Sequence, residues 1–170
     1  MVTIILPGYS AHNKTWLEET AQKIGVDGEI RSIYWEHWND PGKKFDKKGK
    51  ARLIDNVAGK RMVNIIAKSI GTLVAAYLTQ KSPEKIHKVI LNGICLNDLD
   101  GDQKEILKFA LKLIPHEDII CFQNETDPHG SFETAKKFLS DVNTEIVIIS
   151  KPRSDHEYPW FEEFHNFLLG

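Results

Sequence analysis

Short unbroken apolar runs alternate along the chain with stretches whose apolar residues recur every three or four positions. The runs are VTIIL at 2–6, IRSIYW at 30–35, MVNIIA at 62–67, HKVILN at 87–92, DIICFQ at 118–123 and EIVIIS at 145–150. A strand with one wet face would alternate apolar with polar. These runs hardly alternate, which predicts strands covered on both faces, as in a parallel sheet; IRSIYW is the weakest. The intervening stripes predict helices. They are Trp16, Leu17, Ala21 and Ile24; Ile106, Leu107, Ala110, Leu111 and Ile114; Phe132, Ala135, Phe138 and Leu139; and Tyr158, Phe161, Phe164, Phe167 and Leu168. Ser82-Pro83 and Pro115 fall where helices should stop. Strand–helix alternation implies right-handed βαβ crossovers, and so an α/β fold: one doubly wound, mostly parallel sheet of about six strands with helices on both faces.

The 170 residues suit a single domain spanning 1–170. The segment from Asn39 to Lys60 is the least regular. Its basic stretch NDPGKKFDKKGKAR predicts a solvated loop, leading into a helix with a weak stripe at Leu53, Ile54 and Val57. The alternative use of its lysines is to attract an anionic substrate. A net charge of -2 argues against a nucleic-acid partner. Cys95 and Cys121 sit in apolar runs and are expected as buried thiols. MVTIILPG lacks a basic leader and is expected as a core strand rather than a signal peptide. No apolar stretch is long enough to span a bilayer, so the expected setting is cytoplasmic, with no membrane partner.

One polar residue interrupts the most apolar stretch. In VNIIAKSIGTLVAAYL, Ser69 stands at the seam between strand and helix, with Ala67 and Gly71 two residues to either side. Small flanking residues permit a sharp turn that lifts the hydroxyl above the sheet edge and frees the Ile70 N–H to meet an oxyanion. This pattern resembles the nucleophile elbow of the α/β-hydrolase superfamily, with Ala67 where glycine is usual and Lys68 as an unexpected neighbour. The resemblance implies a chain order of serine, acid, histidine. Asp127, in NETDPHG after the fifth run, and His156, in KPRSDHEYP after the sixth, fill those places. Chain position favours Asp127 over the rival Asp98, and His156 over His129. The glycine of PGY after the first run matches the superfamily position that makes Tyr9 N–H the second oxyanion donor, although Pro7 replaces the usual histidine.

The short segment from Ile94 to Asp102, where many relatives insert a lid, makes the chain similar to small lidless serine hydrolases such as the retinoblastoma-binding hydrolases. The resemblance implies a carboxylesterase acting on a small or accessible acyl substrate, with no cofactor and no metal. Trp35, Ile94 and Leu96, with Trp38, are candidates to line the acyl pocket. Thioester, amide or acyl-transfer chemistry on the same site, and a non-catalytic binding protein with this fold, are the alternatives.

Overall fold

A computed structural model describes all 170 residues, Met1–Gly170. Six strands form one sheet: β1 (Val2–Leu6), β2 (Glu29–Ser32), β3 (Val63–Lys68), β4 (Ile86–Asn92), β5 (Ile119–Asn124) and β6 (Val147–Lys151). Their order is β2-β1-β3-β4-β5-β6, and every pairing is parallel. All carboxyl ends therefore meet one edge, where ligands bind in open α/β sheets.

Six helices cover the sheet: α1 (Asn13–Lys23), α2 (Lys47–Ala58), α3 (Ile70–Lys81), α4 (Gly101–Leu111), α5 (Phe132–Ser140) and α6 (Phe161–Leu169). Successive strand residues point to opposite faces. Ile4, Ile65, Val89 and Cys121 pack on one side with residues of α2, α3, α4 and α5. Ile5, Ile66, Ile90 and Phe122 pack on the other with Trp16 and Leu17 of α1 and Phe164 and Leu168 of α6. Two cores on one sheet explain the unbroken apolar runs.

The sequence expectations fail mainly at the edges. β2 covers Glu29–Ser32 rather than 30–35, and no residue of it is buried. β6 begins at Val147, which is exposed. Both are edge strands, so the hydrophobic demand on them is halved. In α2, Leu53 and Val57 face solvent, while Ala51, Ile54 and Ala58 face the core. That helix packs closely against α3, and its small alanines, not its larger aliphatics, suit the interface.

Candidate active site

β3 ends at Lys68 and α3 begins at Ile70, so Ser69 alone makes the turn. Its φ of 56° is the one positive value at a non-glycine residue. Such a conformation costs on the order of 1–3 kcal/mol and persists only where its surroundings enforce it. Ser69 N–H donates to Asn92 C=O at 2.9 Å, while Ser69 C=O accepts from Thr72 N–H at 2.9 Å and from its hydroxyl at 2.7 Å. Gly71 lets α3 start hard against β1, since a Cβ there would lie 2.4 Å from the Leu6 carbonyl oxygen. Ile70 N–H, in the first turn of α3, and Tyr9 N–H, just past β1, donate to no protein acceptor.

Across the rim, the loops after β5 and β6 meet. Asp127 Oδ2 accepts from His156 Nδ1 at 2.6 Å and from the Tyr158 hydroxyl at 2.5 Å. Asp127 Oδ1 accepts from His129 N–H at 2.8 Å. Burial pushes the Asp127 carboxyl up, but the hydrogen bonds from His156 and Tyr158 outweigh it and hold the group below the usual carboxylate range. Burial, joined by the Asp127 charge, keeps Tyr158 a neutral donor with its pKa raised. The ionised carboxylate fixes the imidazole proton on Nδ1, so Nε2 presents its lone pair. That Nε2 atom is buried and has no hydrogen-bond partner.

Ser69 and His156 are brought to the same place by β4. Asn92 holds the Ser69 backbone, and Gly93 (φ 57°) lies beneath the histidine: a Cβ there would come within 2.4 Å of Tyr158 Cε2 and 2.9 Å of His156 Cε1. The Ser69 hydroxyl makes no hydrogen bond to Nε2, and the Cys95 thiol lines the same cavity as Ser69. Burial pushes that thiol up to about 11, so it is uncharged. The structure thus joins Asp127 to His156 directly and holds Ser69 and His156 against the successive residues Asn92 and Gly93, without a serine–histidine hydrogen bond.

Ser69, Ile70 and Tyr9 line a cavity of about 610 Å³ whose other walls include Phe45, Cys95 and His129. Trp35, Ile94 and Leu96 do not line it. Trp35 is fully buried, and its indole N–H donates to Gly8 C=O at 2.9 Å. Trp38 donates to Tyr9 C=O at 2.6 Å, and His37 Nε2 lies 2.7 Å from the same oxygen. These rings brace the loop that presents Tyr9 N–H. Ile94 is core, held through its N–H by Gln123 at 2.9 Å, and Leu96 borders a different depression beside Phe138.

No family model matches the sequence, and no curated protein matches it. Solved structures do match. An esterase from Exiguobacterium antarcticum superposes with a TM-score of 0.74 at 14% identity, over 99% of this chain and 90% of that one. A monoacylglycerol lipase from Paleococcus ferrophilus gives 0.67 at 14% identity, over 99% and 92%. A pyrethroid hydrolase from Sphingobium faniae JZ-2 gives 0.65 at 11% identity, over 99% and 95%. This chain has the α/β-hydrolase fold.

Several residues that shape the site in this α/β-hydrolase fold carry no signal in the sequence. Buried Asn124, the last residue of β5, donates its side-chain amide to the carbonyls of Asp155 at 2.8 Å and Glu157 at 3.0 Å, gripping the loop on either side of His156. Lys68, next to Ser69, is fully buried and reaches Glu157, next to His156, at 3.0 Å. Burial lowers the Lys68 pKa, and the Glu157 charge opposes the drop. The residues flanking the serine and the histidine are therefore tied together under the rim. Nothing in the spacing of Tyr158, Gly93 or Asn124 announces these contacts; an NG pair after an apolar run is the nearest thing to a cue for Gly93. No group of three or more His, Cys, Asp or Glu side chains is placed to hold a metal ion. No helix is long and apolar enough to cross a membrane.

Proposed function

We propose that the chain is a single-domain serine hydrolase that cleaves small acyl esters. One observation carries the reading: a serine forced to φ 56° lines one cavity with Tyr9 and Ile70, whose N–H groups are unengaged, at the rim where an aspartate-anchored histidine keeps a buried, unpartnered Nε2. Strain, free donors and a poised base are what acyl transfer requires, and a fold alone does not demand them.

In the proposed cycle the Ser69 hydroxyl turns toward His156. As Oγ bonds to the ester carbonyl carbon, its proton passes to Nε2 and the carbonyl π electrons move onto oxygen. Tyr9 and Ile70 N–H groups receive that oxyanion, each worth roughly 3–4 kcal/mol in the transition state. Asp127 stabilises the imidazolium. The intermediate collapses, the carbon–oxygen bond to the leaving group breaks, and Nε2 returns the proton to the departing alkoxide. Water then attacks the acyl-enzyme, giving one proton to Nε2; the acyl–Oγ bond breaks and Nε2 returns that proton to Ser69 Oγ, releasing the acid and restoring the serine. Buried Cys95 and Cys121, both unpaired, suit a reducing cytoplasmic setting.

A fluorophosphonate probe tests the reading. Wild-type protein should be labelled, and Ser69→Ala should not. An unlabelled wild type sinks it, and labelling that survives Ser69→Ala moves the nucleophile elsewhere. A panel of oxygen esters, thioesters and amides then fixes the bond cleaved. Oxygen esters should lead, and a dominant rate on another bond would reassign the reaction.

A further inference from the structure

One wall of the Ser69 cavity is built from the segment that leads into α2. Lys43, Lys44 and Lys47 stand there with Phe45. None of the three ammonium groups has a carboxylate partner, whereas Lys50, one turn on, is nearly buried and pairs with Glu36 at 3.1 Å. The carboxylates of the same segment are turned away. Asp46 folds back to cap α2 through Gly49 N–H at 3.0 Å, and Asp40 holds Gly42 N–H at 3.1 Å. The one carboxylate lining the cavity, Asp98, is engaged by His129 Nδ1 at 2.6 Å. The result is a local excess of positive charge over a proposed nucleophile, on a chain whose net charge is -2. Inside it lies a small apolar patch, where the Phe45 ring meets Tyr9 edge-on at 5.5 Å. A concave site with apolar walls and converging charge of one sign concentrates ligands of the opposite sign.

We propose, building on the hydrolase reading, that the physiological substrate is an ester bearing a carboxylate or phosphate, held by Lys43, Lys44 and Lys47. The apolar carbons beside the scissile bond rest on Phe45 and Tyr9, and the anion reaches the lysine wall. The charge could sit on either half of the ester, so two pairs of probes separate the cases. For the acyl side, 4-nitrophenyl butyrate is compared with its monosuccinate counterpart. For the leaving-group side, phenyl acetate is compared with 4-acetoxybenzoate.

In at least one pair kcat/KM should favour the anionic ester by about tenfold at low salt, the size expected of a few exposed charge contacts acting together. That preference should shrink as sodium chloride is raised. Replacing all three lysines by glutamine should bring the ratio close to one, with fluorophosphonate labelling confirming a folded site. Ratios at or below one in both pairs, or a preference that survives the triple substitution, would overturn the proposal. Titration of isotope-labelled protein with succinate reads the same surface without catalysis. Amide shifts at residues 43–47 that vanish in the triple variant would support the anionic subsite even if the serine proved inert, and their absence would refute it even if neutral esters were turned over.

Discussion

Two histidine–aspartate pairs stand side by side at the carboxyl rim: His156 with Asp127, and His129 with Asp98, each joined through Nδ1 at 2.6 Å. Their ring centres are 4.5 Å apart. Judged by distance the two are equivalent. The Asp127 side chain is completely covered and accepts two further hydrogen bonds, from Tyr158 and from the His129 backbone. The Asp98 carboxylate is 53% exposed and its histidine 45% exposed. Water screens the outer pair and lets it break and reform, so an exposed pair is worth roughly 0–1 kcal/mol. The inner pair cannot relax without leaving a buried charge unpaired. A histidine–aspartate distance therefore does not mark a base; what encloses the carboxylate does.

The sharpest way to break the comparison is to neutralise each acid in turn. Asp127→Asn should lower kcat by about 10³–10⁴-fold, because the amide no longer dictates the imidazole tautomer. Asp98→Asn should lower it by less than about threefold, as suits a screened pair. Steady-state kinetics on one neutral ester decides this, and equal losses would erase the distinction drawn between the pairs. Gly93→Ala comes next. It places a methyl where the Tyr158 and His156 rings lie and holds alanine at φ 57°, so about 2–3 kcal/mol of stability should be lost, read from urea midpoints.

The acid dependence of stability follows from the depressed Asp127 pKa. The unfolded chain takes up that proton first on acidification. The stability contributed by ionised Asp127 is therefore complete above the ordinary carboxylate pKa, near 4, and is lost as pH falls through the lower folded value. Urea midpoints of wild type and Asp127→Asn should differ by a constant amount above about pH 4, and the gap should close as pH falls from there through the lower folded value. A gap that did not close would mean that the buried carboxylate is not ionised. Tyr158→Phe should have the smallest effect, about 1 kcal/mol in stability and a few-fold in kcat, since it removes one of three donors to Asp127.

Legibility in the sequence tracked burial. β1, β3, β4 and β5 are covered on both faces and stood out as unbroken apolar runs, whereas β2 and β6 at the sheet edges blurred. The α2 stripe misled because its buried face is made of Ala51, Ile54 and Ala58, and alanine carries little pattern. In the site, Ser69 could be found because its small neighbours are local. Asp127 and His156 are reached through chain order, and the two side chains are hydrogen-bonded at 2.6 Å. Trp35 was misjudged: a large ring near the rim suggested a pocket wall, yet its value here is a donor aimed at the Gly8 carbonyl. Tyr158 reads as the first residue of the last helical stripe, yet α6 begins at Phe161 and the Tyr158 hydroxyl goes to Asp127; Asn124 is silent because its role is a contact across some thirty residues of chain.

The turn at Ser69 has an evolutionary corollary. Glycine would adopt that φ at little cost, so exchanging the serine for glycine should make the folded chain hardier by up to about 1 kcal/mol. Selection for robustness alone would thus steadily erode this hydroxyl, and a lineage that retains it under heat or crowding is one in which something still depends on it.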